Sequence, residues 1–273
     1  MTLGIGVLCS SKPVPCVPRP DAMVLIGDTI GSTDIESAEA QHEMYFNPVE
    51  KLFGICIGRI NRAAGLFHSI QKELLQSQDR NVHACEEALN KAVHGHRAEH
   101  FQSDMLPPET IPKPSDPSLL DAWQQYDVGI HLLVGTFSSD GKALLYLVAQ
   151  MGNTDQRVHR VYGDATIGEG GYSASFWLNF RQQAPGRSLR QSAYHAYEAA
   201  RLTARPPGLD GGLEMIVATK DKAFHLAART PEPEGSYISL LELESMLERF
   251  GPRDTDRALG HADSSVAAAG KSN

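Results

Sequence analysis

No two of the four cysteines, Cys9, Cys16, Cys56 and Cys85, stand at CxxC spacing, and four in 273 residues are too few for a disulfide framework. That usage fits a reducing cytoplasm. Long apolar runs are also missing: the longest, such as Val128 to Phe137 with His131 inside it, fall well short of a bilayer span. The N-terminus has no basic region followed by an apolar one, so the chain reads as soluble and unexported, with no membrane partner. Positive charge is scarce as well. Twenty-five Lys and Arg face 33 Asp and Glu, a formal charge of -8, which leaves no basic stripe to follow a phosphate backbone and argues against nucleic acid as a partner. What the chain does have is 41% hydrophobic residues, enough for a substantial core in one large domain or two small ones.

Leu3 to Cys9 and Ala22 to Thr29 are apolar, β-permissive runs separated by SSKPVPCVPRPD, whose four prolines suit a long hairpin loop. After the polar segment Gly31 to Gln41, Met44-Tyr45-Phe46 and Leu52 to Gly58 flank Pro48-Val49-Glu50-Lys51 and predict a second hairpin with a tight polar turn. Ala63, Phe67, Ile70 and Leu74 then recur at helical spacing, and Val82, Cys85, Leu89 and Val93 repeat the pattern after a polar break at Ser77 to Arg80. The stretch MLPPETIPKPSDPS predicts a surface loop.

Val128 to Phe137 and Ala143 to Gln150 form a third hairpin around Asp140-Gly141. A bend at Gly168-Glu169-Gly170-Gly171 leads to a helix from about Tyr172 to Phe180. Ser188 then caps a helix carrying Leu189, Ala193, Ala196 and Ala200. Leu213 to Thr219 and Ala223 to Ala228 close the pattern as a hairpin around Lys220-Asp221-Lys222. Strands, two helices, strands, two helices, strands predict an α+β fold, a four-layer αββα sandwich of antiparallel sheets. One domain is expected over residues 2–250. Residues 251–273, rich in Ala, Ser, Asp and Gly, lack apolar periodicity and are expected to form a tail.

Several local patterns, taken in order over roughly residues 2–228, resemble the proteasome β-subunit and bacterial HslV family of N-terminal-nucleophile (Ntn) hydrolases. Thr-Leu-Gly-Ile-Gly at Thr2 to Gly6 is similar to that family's first strand, and Val24 to Thr29 to the strand ending in its active-site Asp. Ile57-Gly58 followed by Ala63-Ala64-Gly65 resembles the turn into its first helix. His131 to Phe137, Ser139-Asp140-Gly141, Ala165 to Gly171 and Leu213 to Asp221 resemble its later strands, glycine bend and terminal hairpin. The family's α subunits carry an extra helix ahead of the first strand, which here starts at Leu3, so the resemblance is to the β type.

The resemblance implies a threonine-type peptidase. Thr2, freed of Met1, would be both nucleophile and base, because an alcohol needs a nearby proton acceptor and an α-amine with a pKa near 8 is partly neutral at cellular pH. Asp28 would orient the cluster, and the backbone N–H of Gly58 would stabilise the oxyanion. It further implies a homo-oligomer, ring-shaped as in the family, a peptide or unfolded protein as substrate, a cytoplasmic location and no cofactor.

The sequence departs from the pattern at the family's lysine, where Glu43, or His42 after a one-residue shift, stands. The nearest lysine, Lys51, is the candidate for that role, although the strand pattern puts it at the hairpin's far turn. Glu169 replaces a serine in the glycine bend, and Pro207 and Asp210 replace an Asp and a Ser. Two other readings therefore stay open. One is a non-catalytic relative kept as an assembly or binding module. The other is an Ntn amidase acting on a small cationic molecule read by Glu43 and Glu169.

His94, His96 and His100 cluster toward the end of the second helix, and the pair His96 and His100, four apart, has a spacing that can share a metal. No acidic or Cys partner has matching spacing, so the expected reading is a solvated helix end and no metal. The glycine bend lacks the Lys-Ser/Thr ending of a phosphate loop.

Overall fold

A computed structural model describes residues 3–11, 19–29, 41–77, 79–105, 117–149, 158–203 and 212–227. The segment expected to be a tail lies outside these residues, as does most of the Pro-rich stretch. Among them run β1 (Gly4–Cys9), β2 (Ala22–Thr29), β3 (Gln41–Asn47), β4 (Leu52–Gly58), α1 (Ile60–Gln76), α2 (Val82–Met105) and α3 (Pro117–Gln125). There follow β5 (Ile130–Phe137), β6 (Ala143–Ala149), β7 (Val158–Val161), β8 (Asp164–Ile167), α4 (Gly171–Phe180), α5 (Leu189–Thr203), β9 (Gly212–Thr219) and β10 (Ala223–Ala227).

The strands form two antiparallel five-stranded sheets, in the orders β10-β9-β2-β1-β8 and β3-β4-β5-β6-β7. Period-2 alternation decides which way each side chain points. In β2, Val24 and Ile26 join the core under α4 and α5, whereas Met23 and Leu25 face the other sheet. In β4, Cys56 and Leu52 face α1 and α2, whereas Phe53, Ile55 and Ile57 face inward. Both faces of each sheet are thus covered, which explains why β1 and most of β4 are buried without a break. The layers run helices, sheet, sheet, helices, and the fold is an α+β sandwich.

α1 forms where one face is apolar, and side-chain caps open α2 and α5. Ala63, Phe67, Ile70 and Leu74 are all buried against the second sheet. The Asn81 side chain accepts the Ala84 amide at 2.9 Å to open α2, and Ser188 Oγ accepts the Gln191 amide at 3.3 Å to open α5. The hairpin at Asp140-Gly141 turns as expected, with Gly141 at φ +80° and its amide on the Ser138 carbonyl.

Three features differ from the expectation. First, α3 begins at the end of the Pro-rich stretch, with Pro117 in its opening turn, where a missing N–H costs nothing. Ala122 and Trp123 of α3 pack on the core. Second, β3 extends back through the polar residues to Gln41, and the four-residue β7 adds an edge to its sheet. Third, α2 continues to Met105, so His96 is not at a solvated helix end: it is 4% exposed, facing α1 opposite Gly65.

Candidate functional site

Four chain segments named by the sequence analysis converge at one end of the sandwich. β1 enters there, with Leu3 buried and Gly4 paired to both Gly27 and Ile167. β2 leaves there, its Asp28 backbone opposite Leu213 of β9. β3 starts there, with Gln41 opposite Gly58, His42 opposite Ile57 and Glu43 opposite Cys56. Thr2 lies outside the described residues, as do Pro207 and Asp210. The side chains of Asp28, His42 and Glu43 are outside them too, so the placement of these three is one of strand position.

Gly58 makes the turn from β4 into α1. Its φ of +109° is strained for any residue with a side chain, and a Cβ there would lie 2.2 Å from the Gly129 carbonyl oxygen. That oxygen accepts the Arg59 amide at 3.0 Å, so Gly58 and Gly129 lock the strand end against the start of β5. The glycine is required by the backbone itself.

The bend between β8 and α4 lies across from it. Gly168 has φ +87°, the Gly171 amide donates to its carbonyl at 3.0 Å, and Thr166 Oγ1 donates to the Gly171 carbonyl at 2.8 Å. These bonds hold Glu169 out in solvent, just ahead of α4.

Between the two sheet ends opens a cleft of about 720 Å³, lined among others by Ile57 and His131 of the second sheet, by Thr166 and Ile167 of the first, and by Glu169 and Tyr172 of the bend and α4 that follow. Its size lies within the usual range of ligand pockets, and its lining has their usual character, an apolar floor with a few polar groups. Sequence reasoning named Ile57 and Glu169 but did not single out His131 as a site residue. A signal existed: His131 interrupts an apolar run at the parity of Leu133 and Phe137, which face between the sheets.

Lys51 stands elsewhere. With φ +53° it closes the β3–β4 turn, at the opposite end of the seven-residue strand from Gly58. At 3.3 Å per residue that is about 23 Å away. Arg80 binds this turn, donating to the Glu50 carbonyl at 2.8 Å and pairing with its carboxylate at 3.1 Å.

The histidine pair forms a separate polar cluster on the helical layer. His96 Nε2 and His100 Nε2 are 3.1 Å apart. Burial, with His100 adding to it, pushes the His96 pKa down to about 4, and burial lowers that of His100 as well. Arg62 of α1 pairs with Asp104 at 2.8 Å, and the Tyr126 hydroxyl donates to the same carboxylate at 2.6 Å, the main reason Asp104 is held below the ordinary carboxylate range. Among the described residues no group of three His, Cys, Asp or Glu is placed to hold a metal ion. The cluster ties α1 to α2 and to the chain entering β5.

No helix among the described residues is long and apolar enough to cross a membrane. No protein-family model and no curated protein matches the chain.

Proposed function

We propose that the chain is a threonine-type Ntn amidohydrolase of proteasome-like fold, cutting peptides with Thr2 as nucleophile and its α-amine as base. One observation carries this reading. The start of β1, the Asp28 end of β2, the glycine-locked strand end at Gly58 and the cleft all lie at the same end of an α+β sandwich. A nucleophile at the start of β1 would attack a carbonyl whose developing negative charge needs a fixed donor, and a backbone amide at a rigid turn is such a donor. The free amine would take the hydroxyl proton and pass it to the leaving nitrogen.

The same reading makes the chain a cytoplasmic homo-oligomer. Phe176 and Phe180 stand at i and i+4 on α4 and are 58% and 65% exposed. Two such side chains supply roughly 250 Å² of apolar surface, about a third of what one partner contributes to a stable interface. The reading assigns this face to a second copy of α4.

A second reading has its own support. The lysine that the resemblance calls for is replaced at the start of β3 by Gln41-His42-Glu43, and Lys51 lies at the far turn. That favours a non-catalytic relative that keeps the fold as a binding or assembly module. Incubation with a peptide epoxyketone followed by intact-mass and peptide mapping separates the two. The hydrolase gives an adduct on Thr2 in a chain lacking Met1. A chain that retains Met1 is the inert relative, and one that gives no adduct is not a peptide-cutting hydrolase.

A further inference from the structure

We infer that the cleft selects a cationic side chain, of arginine or lysine type, carried on a peptide. The inference rests on reading this cleft as the substrate site, but on its binding role alone and not on turnover.

Among the described residues that line the cleft, Glu169 supplies the one carboxylate, and no Lys or Arg stands beside it to neutralise it. Arg59, next to Gly58, has its side chain over Gly129 and is not part of the cleft lining. The bend fixes the backbone that carries Glu169, because the Gly171 amide is hydrogen-bonded to the Gly168 carbonyl and Thr166 clamps Gly171. The floor formed by Ile57 and Ile167 is apolar, and Tyr172 presents a 90% exposed ring beside it.

This combination matches one kind of side chain better than the others. A long apolar stem gains from lying along Ile57 and Ile167, a terminal cation gains from the Tyr172 ring face, and the same cation pairs with Glu169. An acidic side chain meets repulsion from Glu169. A purely aliphatic one fills the floor and leaves the carboxylate solvated, which costs little. The discrimination is therefore between cation and neutral isostere, and it comes from charge rather than from shape.

The test uses the full chain carrying Thr2→Ala, so that no probe is consumed. Two fluorescein-labelled tetrapeptide amides, Ala-Ala-Arg-Ala and its citrulline twin, are titrated by fluorescence anisotropy at 0.1 M salt. The arginine probe should bind about fivefold tighter than the citrulline probe, the size expected of one partly solvated charge pair. Glu169→Gln should bring the two affinities within a factor of about two, and Glu169→Lys should make citrulline the better ligand. Glu87→Gln, which removes the same charge from the exposed face of α2, should leave the fivefold ratio intact. Tyr172→Ala should weaken the arginine probe more than the citrulline probe.

Equal affinity of the two probes for the parent chain overturns the inference. So does a preference that survives Glu169→Gln, or the absence of binding by either probe. None of these results touches the epoxyketone experiment, whose adduct decides the hydrolase reading by itself.

Discussion

The carbonyl oxygen of Gly129 stands 2.2 Å from where a Cβ on Gly58 would be, so these two residues meet without room for a methyl group between them. Neither partner can step aside, because the oxygen belongs to the backbone and already holds the Arg59 amide. Gly58→Ala therefore has to distort the β4–α1 turn or break the bond to Arg59. It should destabilise the chain by at least about 2 kcal/mol, a fall in Tm of roughly 5 °C for a domain of this size. Gly95→Ala is the contrast: it is a helical glycine with nothing within 4 Å of the added methyl, and it should stabilise by about 0.5 to 1 kcal/mol. Calorimetric scans of the two variants read both signs.

Acid should loosen the helical layer. In the unfolded chain His96 titrates near 6.5, and in the folded chain its pKa is about 4. Between those values the unfolded chain binds more protons, so stability falls as pH drops below about 6.5 and stops falling on this account near 4. A shift of that size corresponds to at most about 3.5 kcal/mol. Burial is the largest effect and His100 adds to it, while the Arg62 backbone and Glu99 favour protonation of the same ring and the Arg62 guanidinium opposes it. His96→Leu should flatten the dependence of urea midpoint on pH between 7 and 4.5, and an unchanged slope would assign the acid sensitivity elsewhere.

If Thr2 is the nucleophile, the register of β3 sets the pH at which it works. A carboxylate at the Glu43 position stabilises a nearby ammonium and raises its pKa, whereas a lysine there lowers it. The neutral amine, which is the base, is then scarce at pH 7, and peptide hydrolysis should rise as pH increases above 8. Thr2→Ala should abolish hydrolysis and Glu43→Lys should raise the neutral-pH rate. Lys51→Ala should leave the profile alone, since the turn it closes lies at the far end of β4 from Gly58. Loss of activity in Lys51→Ala would place the working lysine at that turn and remove Gly58 from the site.

Phe176→Glu tests the face of α4. Phe176 is 58% exposed one turn ahead of the exposed Phe180, so a charge there is tolerated by the single chain and not by a packed pair of helices. Light scattering should report a smaller particle for the variant, with the Tm changed by less than about 3 °C. A parent chain that is already monomeric at micromolar concentration removes the helix-to-helix contact.

Most of the layer order was legible because each long strand and helix carries its own period. Val24 and Ile26 alternate with Met23 and Leu25, and Ala63, Phe67, Ile70 and Leu74 step along one helical face. What was not legible is what depends on two distant segments. β7 has four residues and no apolar run. α3 is held by Arg97, whose guanidinium stacks 4.2 Å over Trp123 and donates to its carbonyl, a contact across 26 residues that no local pattern announces. His96 looked like a surface residue because its burial is created by Gly65 on another helix. The cleft is the extreme case: Ile57 and Glu169 are 112 residues apart, and only the packing of one sheet on the other brings them to the same cleft.

The strand order has a consequence for how the chain is made. β1 lies between β2 and β8, so the second residue row it pairs with, Asp164 to Ile167, leaves the ribosome some 160 residues after Gly4. Throughout that interval the run GIGVLC keeps an open hydrogen-bonding edge, with no charge or proline to blunt it. The nascent chain is thus most exposed to intermolecular pairing before β8 and α4 are synthesised, and the cleft at the start of β1 closes among the last parts of the fold. A chain truncated ahead of Val158 should accumulate in the pelleted fraction, and one extending through Phe180 should begin to escape it.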